Sequence, residues 1–229
     1  MVEWVQPQVW VAVVPIIVVN ILLSGDNAVV IALACRNLAP KQKRQGIFWG
    51  VLGAIGLRIV LTFFAMSLLS NPYLKLIGGA LLIWIGIKLI AEEDDAEHNV
   101  KASDRLLAAV WTIIVADVVM SLDNVMGVAA AAKGSMPLII FGLIISIPIV
   151  VLGSQIIMGL IKRFPILIVA GGGLLGYIAG EMMIEDPAIA PWVAANAAGA
   201  AWLAPVAGVA VVVIVGTWLT RARKRTALD

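Results

Sequence analysis

Long apolar runs alternate with short polar stretches along the chain. A transmembrane helix needs about 20 predominantly apolar residues, and seven segments have about that length. They are residues 9–34, 46–69, 73–91, 106–132, 137–161, 165–184 and 198–219. The pattern therefore predicts an all-α polytopic membrane protein with seven transmembrane helices.

Composition agrees with this interpretation. Hydrophobic residues make up 62% of the 229 residues and charged residues 13%, and the mean hydropathy is +1.05. A soluble domain of this composition would expose more apolar surface than water tolerates. The single cysteine, Cys35, excludes an internal disulfide and any cysteine cluster that could bind zinc or an iron–sulfur centre. No positive segment precedes the first apolar run, so we expect no cleaved signal peptide.

Positive residues are concentrated in three polar segments, 36–44, 162–163 and 221–225. With seven spans, all three lie on the same side of the membrane, which is the cytoplasmic side by the positive-inside rule. We therefore expect the N-terminus outside and the basic C-terminal tail in the cytoplasm. The acidic loop between the third and fourth spans is expected to be cytoplasmic as well.

A polar motif interrupts the apolar sequence twice. NILLSGDNAVV, which starts at Asn20, aligns with DVVMSLDNVMG, which starts at Asp117, so that Asp123 lies 97 positions after Asp26. Both copies contain Ser-x-Asp-Asn with a polar residue four positions before the serine. A charged side chain at the bilayer centre costs roughly 2.5–3.5 kcal/mol on insertion scales. Matched aspartates are therefore poorly explained by chance similarity.

The third and sixth spans also match, at an offset of 93, which aligns Gly78–Gly79 with Gly171–Gly172. The repeat unit is thus three spans. An odd number of spans inverts the second copy, as in transporters that bind cargo near the midplane between inverted repeats.

The predicted organisation has four parts. They are a first three-helix repeat (1–91), an acidic cytoplasmic loop (92–105), a second, inverted three-helix repeat (106–184), and a seventh transmembrane helix with its basic cytoplasmic tail (185–229).

The two motif copies offer carboxylate, amide and hydroxyl oxygens but no thiolate or intramembrane histidine. The candidate metal ligands are Asn20, Asp26, Asn27, Asp117, Asp123 and Asn124, and Ser24 and Ser121 are candidate transport or gating residues. Oxygen ligands suit hard divalent cations such as Mn²⁺, Mg²⁺ or Ca²⁺. The alternative is a buried polar network that holds the helices together.

Helical spacing predicts how these side chains are arranged. Asn20, Ser24 and Asn27 fall on one stripe of a helix, and their counterparts in the second copy fall on a matching stripe. A helix break at Ser24–Gly25 would turn Asp26 towards its stripe.

Two further charged residues are candidates for transport or gating. Arg58 lies near the middle of the second span and is expected to pair with Asp26 or Asp123. It either neutralises charge so that the bundle can assemble, or occupies the carboxylates when a metal ion leaves. Glu181, near the end of the sixth span, is a candidate gate residue or proton carrier, with a place in the outer interface as the alternative.

The sequences SGDNAVVIALA and ADVVMSLDNVMGVAA resemble the TerC family of bacterial membrane proteins, most closely its YjbE-type members, within the LysE-type exporter superfamily. The resemblance covers about residues 10–184. It implies a seven-helix, multi-pass protein of the bacterial inner membrane that exports Mn²⁺ or a related divalent ion. The acidic intramembrane positions of the family match Asp26, Asp117 and Asp123, with the adjoining Asn27 and Asn124.

We therefore expect a secondary transporter, not an enzyme, that exports a divalent cation by proton antiport from a midplane site. Expelling a divalent cation against an inside-negative potential costs roughly 4.6 kcal/mol per 100 mV, and the sequence contains no ATP-binding loop. The alternatives are an exporter of a small organic cation such as a basic amino acid, and a metal-binding membrane sensor or partner subunit without transport. The metal is expected as substrate, without an organic cofactor. Expected partners are the metal ion, protons and the lipid bilayer, with a homodimer left open and no nucleic acid.

Overall fold

The computed structural model describes residues 25–69, 71–92, 102–131 and 136–226, and these form α-helices joined by short connections. The helices are α1 (Gly25–Cys35), α2 (Pro40–Leu69), α3 (Leu74–Ala91), α4 (Ala102–Ala131), α5 (Met136–Arg163), α6 (Ile166–Ile184), α7 (Ala190–Asn196) and α8 (Leu203–Thr226), with a 3₁₀ turn at Ala198–Ala200.

Six segments within these residues are long and apolar enough to cross a membrane, and they belong to α2, α3, α4, α5, α6 and α8. The described part of the first predicted span, α1, is a shorter apolar helix of 11 residues. Large apolar side chains such as Phe63, Ile156 and Ile214 are exposed on the outer surface of the bundle, as expected for side chains in contact with lipid. The chain is thus an integral, multi-pass membrane protein.

Several helices extend beyond the apolar runs that predicted them. α2 begins at Pro40, and a proline suits the first turn of a helix because its missing N–H would have no intrahelical partner there. α4 begins at Ala102, so the last four residues of the predicted acidic loop are helical. The added turns are polar, and hydropathy alone could not assign them to a helix.

The helices pack in two groups. α3, α6 and α8 pack against one another, while α2 packs on α4 and α1 packs on α5 and α4. Glycines allow the closest approaches: a Cβ atom on Gly176 would clash with the carbonyl oxygen of Gly208, and one on Gly180 with that of Ala204. Small residues at such crossings let helix backbones approach in a membrane.

Polar contacts define which helix ends share a side. Arg36, just after α1, donates hydrogen bonds to the carbonyl oxygens of Leu89 (2.6 Å) and Glu92 at the end of α3. Arg223 of α8 donates to Ala91 O at 3.2 Å. These cations meet the negative end of the α3 dipole, so the C-terminal ends of α1, α3 and α8 lie together.

Candidate functional site

A cavity of about 30 Å³ lies between α1, α2, α4 and α5. One or two water molecules or a bare ion fit a space of that size, because a water needs roughly 10–15 Å³ by this measure. Most of the wall is apolar. The polar residues that line it are Asn27, Arg58, Asp117 and Ser146.

Arg58 of α2 forms a buried ion pair with Asp117 of α4. The Arg58 Nη2 atom donates to Asp117 Oδ1, and its Nε atom donates to Ser121 Oγ at 2.8 Å. The Ser121 hydroxyl in turn donates to Asp117 Oδ2 at 3.3 Å. The three side chains thus form one closed network, which satisfies the charge of each ionised partner.

Helical geometry explains why two members of this network come from α4. Asp117 and Ser121 are four residues apart, so they project from the same face of the helix. Arg58 is only 6% exposed and Asp117 only 8%, in a region of apolar side chains. Removing one partner from a buried pair of this kind typically costs about 3–5 kcal/mol, because the other charge is left uncompensated.

Asp26 and Asn27 bring the first copy of the motif to the same region. Asn27 is buried and lines the cavity. Asp26 is half-buried in the first turn of α1, where its Oδ1 atom accepts a hydrogen bond from the backbone N–H of Asn27 at 2.8 Å. It also interacts electrostatically with both Arg58 and Asp117. The structure therefore brings together Asp26 and Asn27 from one copy with Asp117 and Ser121 from the other.

The structure does not describe the side chains of four candidate residues. Asn20 and Ser24 lie outside the described residues. Asp123 and Asn124 belong to α4, but their side chains are outside the described part of that helix. Among the residues that the structure does describe, no three His, Cys, Asp or Glu side chains form a cluster that could hold a metal ion.

The ion pair of Arg58 is not the one that we expected from the sequence. We expected Asp26 or Asp123, whereas the ion pair is formed with Asp117; Asp26 interacts with Arg58 electrostatically without forming the pair, and the side chain of Asp123 lies outside the described residues. The packing of α2 on α4 decides this, because it places Arg58 opposite the face that carries Asp117 and Ser121. Glu181 is exposed near the end of α6 and does not line the cavity.

Ser146 of α5 is a cavity residue that sequence reasoning missed. It is 5% exposed, and its hydroxyl donates to the carbonyl oxygen of Leu143 at 2.7 Å. Its repeat equivalent, 97 positions earlier, is Trp49. The repeat therefore gave no signal at this position.

Asp186, after α6, is a second buried residue that the sequence did not single out. It accepts hydrogen bonds from the backbone N–H groups of Tyr73 (2.9 Å), Leu76 (3.2 Å) and Ala188 (2.8 Å). Burial alone would raise the pKa of this carboxyl group, but the backbone N–H groups outweigh it and lower the pKa below its ordinary value. Tyr73 has a left-handed backbone with φ of 70°. Asp186 thus anchors the start of α3 to the loop after α6, on the side opposite Arg36.

Known proteins resemble this chain over nearly its whole length. Residues 5–224 match the family described as "Integral membrane protein TerC family". The "Uncharacterized membrane protein YjbE" of Bacillus subtilis (strain 168) is 38% identical over 214 residues, which are 93% of this chain and 97% of that protein.

More distant relatives have similarly general names. The "Uncharacterized membrane protein YceF" of the same organism is 26% identical and covers 77% of this chain and 72% of its own. The "UPF0053 inner membrane protein YgdQ" of Escherichia coli (strain K12) is 23% identical, covering 71% of this chain and 76% of its own. No solved structure is significantly similar.

Proposed function

The chain belongs to the TerC family of integral membrane proteins, and we propose on that basis that it is a secondary transporter that exports a divalent cation, chiefly Mn²⁺, in exchange for protons. A place in the LysE-type exporter superfamily is part of this proposal. One observation carries it: Asn27 and Asp117, from the two copies of the polar motif, line a single cavity within an apolar bundle.

The chemistry of the donors favours a hard cation. The cavity itself is lined by the carboxylate of Asp117 and the amide of Asn27, and the hydroxyl of Ser121 and the carboxylate of Asp26 interact with Asp117 nearby. Oxygen-only sets of this kind suit Mn²⁺, Mg²⁺ and Ca²⁺ better than soft metals. Asp123 and Asn124 are proposed to complete the site from α4.

Packing supports two inverted repeats. In two such repeats, α1 is the equivalent of α4, α2 of α5 and α3 of α6. The contact of α2 with α4 accordingly has a counterpart in that of α5 with α1. A Cβ atom on Gly78 would meet Val119 of α4, and one on its equivalent Gly171 would meet Val29 of α1.

Seven spans with the N-terminus outside are also proposed. Two groups of contacts fit that number of crossings. Arg36 and Arg223 meet the end of α3 on one side of the bundle. Asp186 meets the start of α3 on the other side. The cytoplasmic side is then the side that carries the basic residues.

Cavity size weighs against the organic-cation alternative. A space of about 30 Å³ accommodates an ion or one or two waters, so a basic amino acid would require the cavity to open further. Competition between lysine or arginine and Mn²⁺ for binding would reopen that alternative.

Export needs an energy source. A divalent cation leaving an inside-negative cell moves uphill by roughly 4.6 kcal/mol per 100 mV. Protons entering on the carboxylates that release the metal would supply the coupling, and Asp26 is the half-buried carboxylate best placed to exchange them.

The test is Mn²⁺ uptake by inside-out proteoliposomes under an imposed proton gradient. We compare wild type with Asp26→Asn and Asp117→Asn, and use Asp104→Asn as the matched control. Asp104 lies in the exposed first turn of α4, on the same helix as Asp117. The expected result is proton-dependent flux in wild type and the control, and at least about a tenfold loss in the other two, as for removal of a charged ligand.

Other outcomes separate the alternatives. Mn²⁺ binding without flux in wild type would favour a sensor or partner subunit. Equal flux in all four proteins would place the transport site elsewhere. Mn²⁺ flux that does not depend on the proton gradient would contradict proton antiport.

A further inference from the structure

We infer that Arg58 is a tethered counter-cation that competes with the metal for Asp117 and Ser121, and that must leave these oxygens each time cargo binds. This inference deepens the proposed function and rests on it. The guanidinium group occupies two of the oxygen donors that a bound cation would use.

The first argument is geometric. Arg58 contacts Asp117 and Ser121 simultaneously, through two different nitrogen atoms. A metal ion that took Asp117 as a ligand would meet the same carboxylate from the same cavity, because both Arg58 and Asp117 line it. A divalent cation on the same carboxylate would lie close to the guanidinium charge, and the repulsion between the two would weaken the contact that each makes with Asp117.

The second argument is position. Arg58 lies 18 residues after the start of α2 and 11 before its end, or about 27 Å and 16 Å along the helix axis. That is too far for its side chain to extend along the helix to either aqueous surface. The positive charge is therefore held within the bundle in this structure.

The third argument comes from the repeat. The equivalent of Arg58 is Gln155, and the equivalent of Asp117 is Asn20. In the sequence, the equivalents of this charged pair, which joins the two repeats, are thus two neutral amides, and both charges change together. Gln155 is exposed whereas Arg58 is buried and lines the cavity, so the charge occurs at the position that faces the cavity and not at its exposed equivalent.

A tethered competitor has a specific consequence for transport. It weakens metal binding, because the metal must displace an existing partner. It also favours release, because the carboxylate of the empty carrier regains a cation at once. The empty carrier can then return without leaving Asp117 as an isolated buried charge, which would be costly.

The test measures affinity and turnover separately on the full-length protein. Mn²⁺ affinity is obtained from the electron paramagnetic resonance signal of free Mn²⁺, and turnover from proteoliposome flux. The variants are Arg58→Gln, Arg58→Lys and the double variant Arg58→Gln/Asp117→Asn, which carries at both positions the residue types of their repeat equivalents, Gln155 and Asn20.

For Arg58→Gln we expect Mn²⁺ binding at least about tenfold tighter than in wild type and a slower turnover. Arg58→Lys keeps a positive charge but lacks the planar guanidinium group that contacts both Asp117 and Ser121. It is expected to bind Mn²⁺ more tightly than wild type, and it provides the test if Arg58→Gln fails to fold. The double variant should fold but bind Mn²⁺ more weakly than Arg58→Gln.

A purely structural Arg58 predicts the opposite pattern. Affinity that is equal to or weaker than wild type in the folded Arg58→Gln and Arg58→Lys proteins, while wild type binds and transports Mn²⁺, would overturn this inference and leave the proposed function intact. Absence of both binding and flux in wild type would overturn the proposed function, and this inference with it.

Discussion

Gly86 of α3 and Gly172 of α6 meet at the crossing of their helices. A Cβ atom on Gly86 would lie 3.2 Å from the carbonyl oxygen of Gly172, and one on Gly172 would lie 3.3 Å from that of Gly86. The crossing has a second contact, in which a Cβ on Gly79 would lie 2.9 Å from the carbonyl oxygen of Ala179. At an offset of 93, Gly79 aligns with Gly172 and Gly86 with Ala179. When each residue is replaced by its repeat equivalent, the Gly86–Gly172 contact therefore becomes the Ala179–Gly79 contact, and the reverse.

We predict that Gly172→Val destabilises the bundle. Even a Cβ atom at this position would lie 2.5 Å from the side chain of Ile90, and the two helices would have to separate. Overpacking of this kind costs about 2 kcal/mol, or roughly 5 °C in the Tm measured in detergent. Gly56→Ala is the control, because a Cβ there meets nothing within 4 Å. An unchanged Tm in Gly172→Val would mean that α3 and α6 are less closely packed at this crossing than a 2.5 Å contact implies.

The sequence predicted which segments are helical and several of the residues that meet. Apolar runs located the six long membrane-spanning helices that the structure describes, and four-residue spacing placed Asp117 and Ser121 on one face, where both contact Arg58. It did not predict the partner of Arg58, because the rotation of α2 against α4 depends on packing between them. Asp186 was missed for a similar reason: two of its N–H donors, Tyr73 and Leu76, precede it by 110 residues or more.

Asp186→Asn should lower the stability of the protein and reduce its sensitivity to acid. The carboxylate accepts N–H groups at the start of α3 and holds the left-handed backbone of Tyr73. Burial raises the pKa of this carboxyl group, but the N–H groups lower it by more. The folded-state pKa is therefore below the ordinary value of about 3.9. Its contribution is therefore complete above about pH 4 and is lost as the pH falls through the folded-state pKa.

The measurement is Tm against pH in detergent, from pH 7 down to the acid limit of folding. We expect Asp186→Asn to lower the Tm at pH 7 by about 3 °C and to flatten the acid branch of the curve. Glu185→Gln is the control, because Glu185 forms an exposed ion pair with Lys75 at 3.0 Å and such pairs contribute little. Parallel acid branches in wild type and Asp186→Asn would exclude Asp186 as the anchor.

Ser146→Leu should block transport without unfolding the protein. Ser146 lines the cavity from α5, and a leucine there would fill the space of about 30 Å³ that the proposed cargo would occupy. We expect Mn²⁺ flux to fall at least about tenfold, while overpacking costs stability by no more than about 3 kcal/mol. Ser146→Ala keeps the cavity open and loses a hydroxyl already bonded to Leu143, so it should retain most of the flux. Full flux in Ser146→Leu would show that cargo does not pass this cavity.

Glu181→Gln should leave transport nearly unchanged. Glu181 is exposed on α6 and does not line the cavity between α1, α2, α4 and α5. A surface substitution away from the site has a small effect, so we expect Mn²⁺ flux within about twofold of wild type, at every pH tested. A large loss of flux, or a changed pH dependence, would instead make Glu181 a gate residue or proton carrier.

Introduced cysteines can test which side of the protein faces the cytoplasm. The native Cys35 is 0% exposed, so it should give little background labelling. Glu185 and Arg221 are both exposed, and they belong to opposite sides, next to Asp186 and Arg223. In intact cells, a membrane-impermeant maleimide should label Glu185→Cys. It should label Arg221→Cys only after permeabilisation, because basic segments remain in the cytoplasm. The reverse pattern would invert the orientation, and with it the direction in which a proton gradient could drive Mn²⁺.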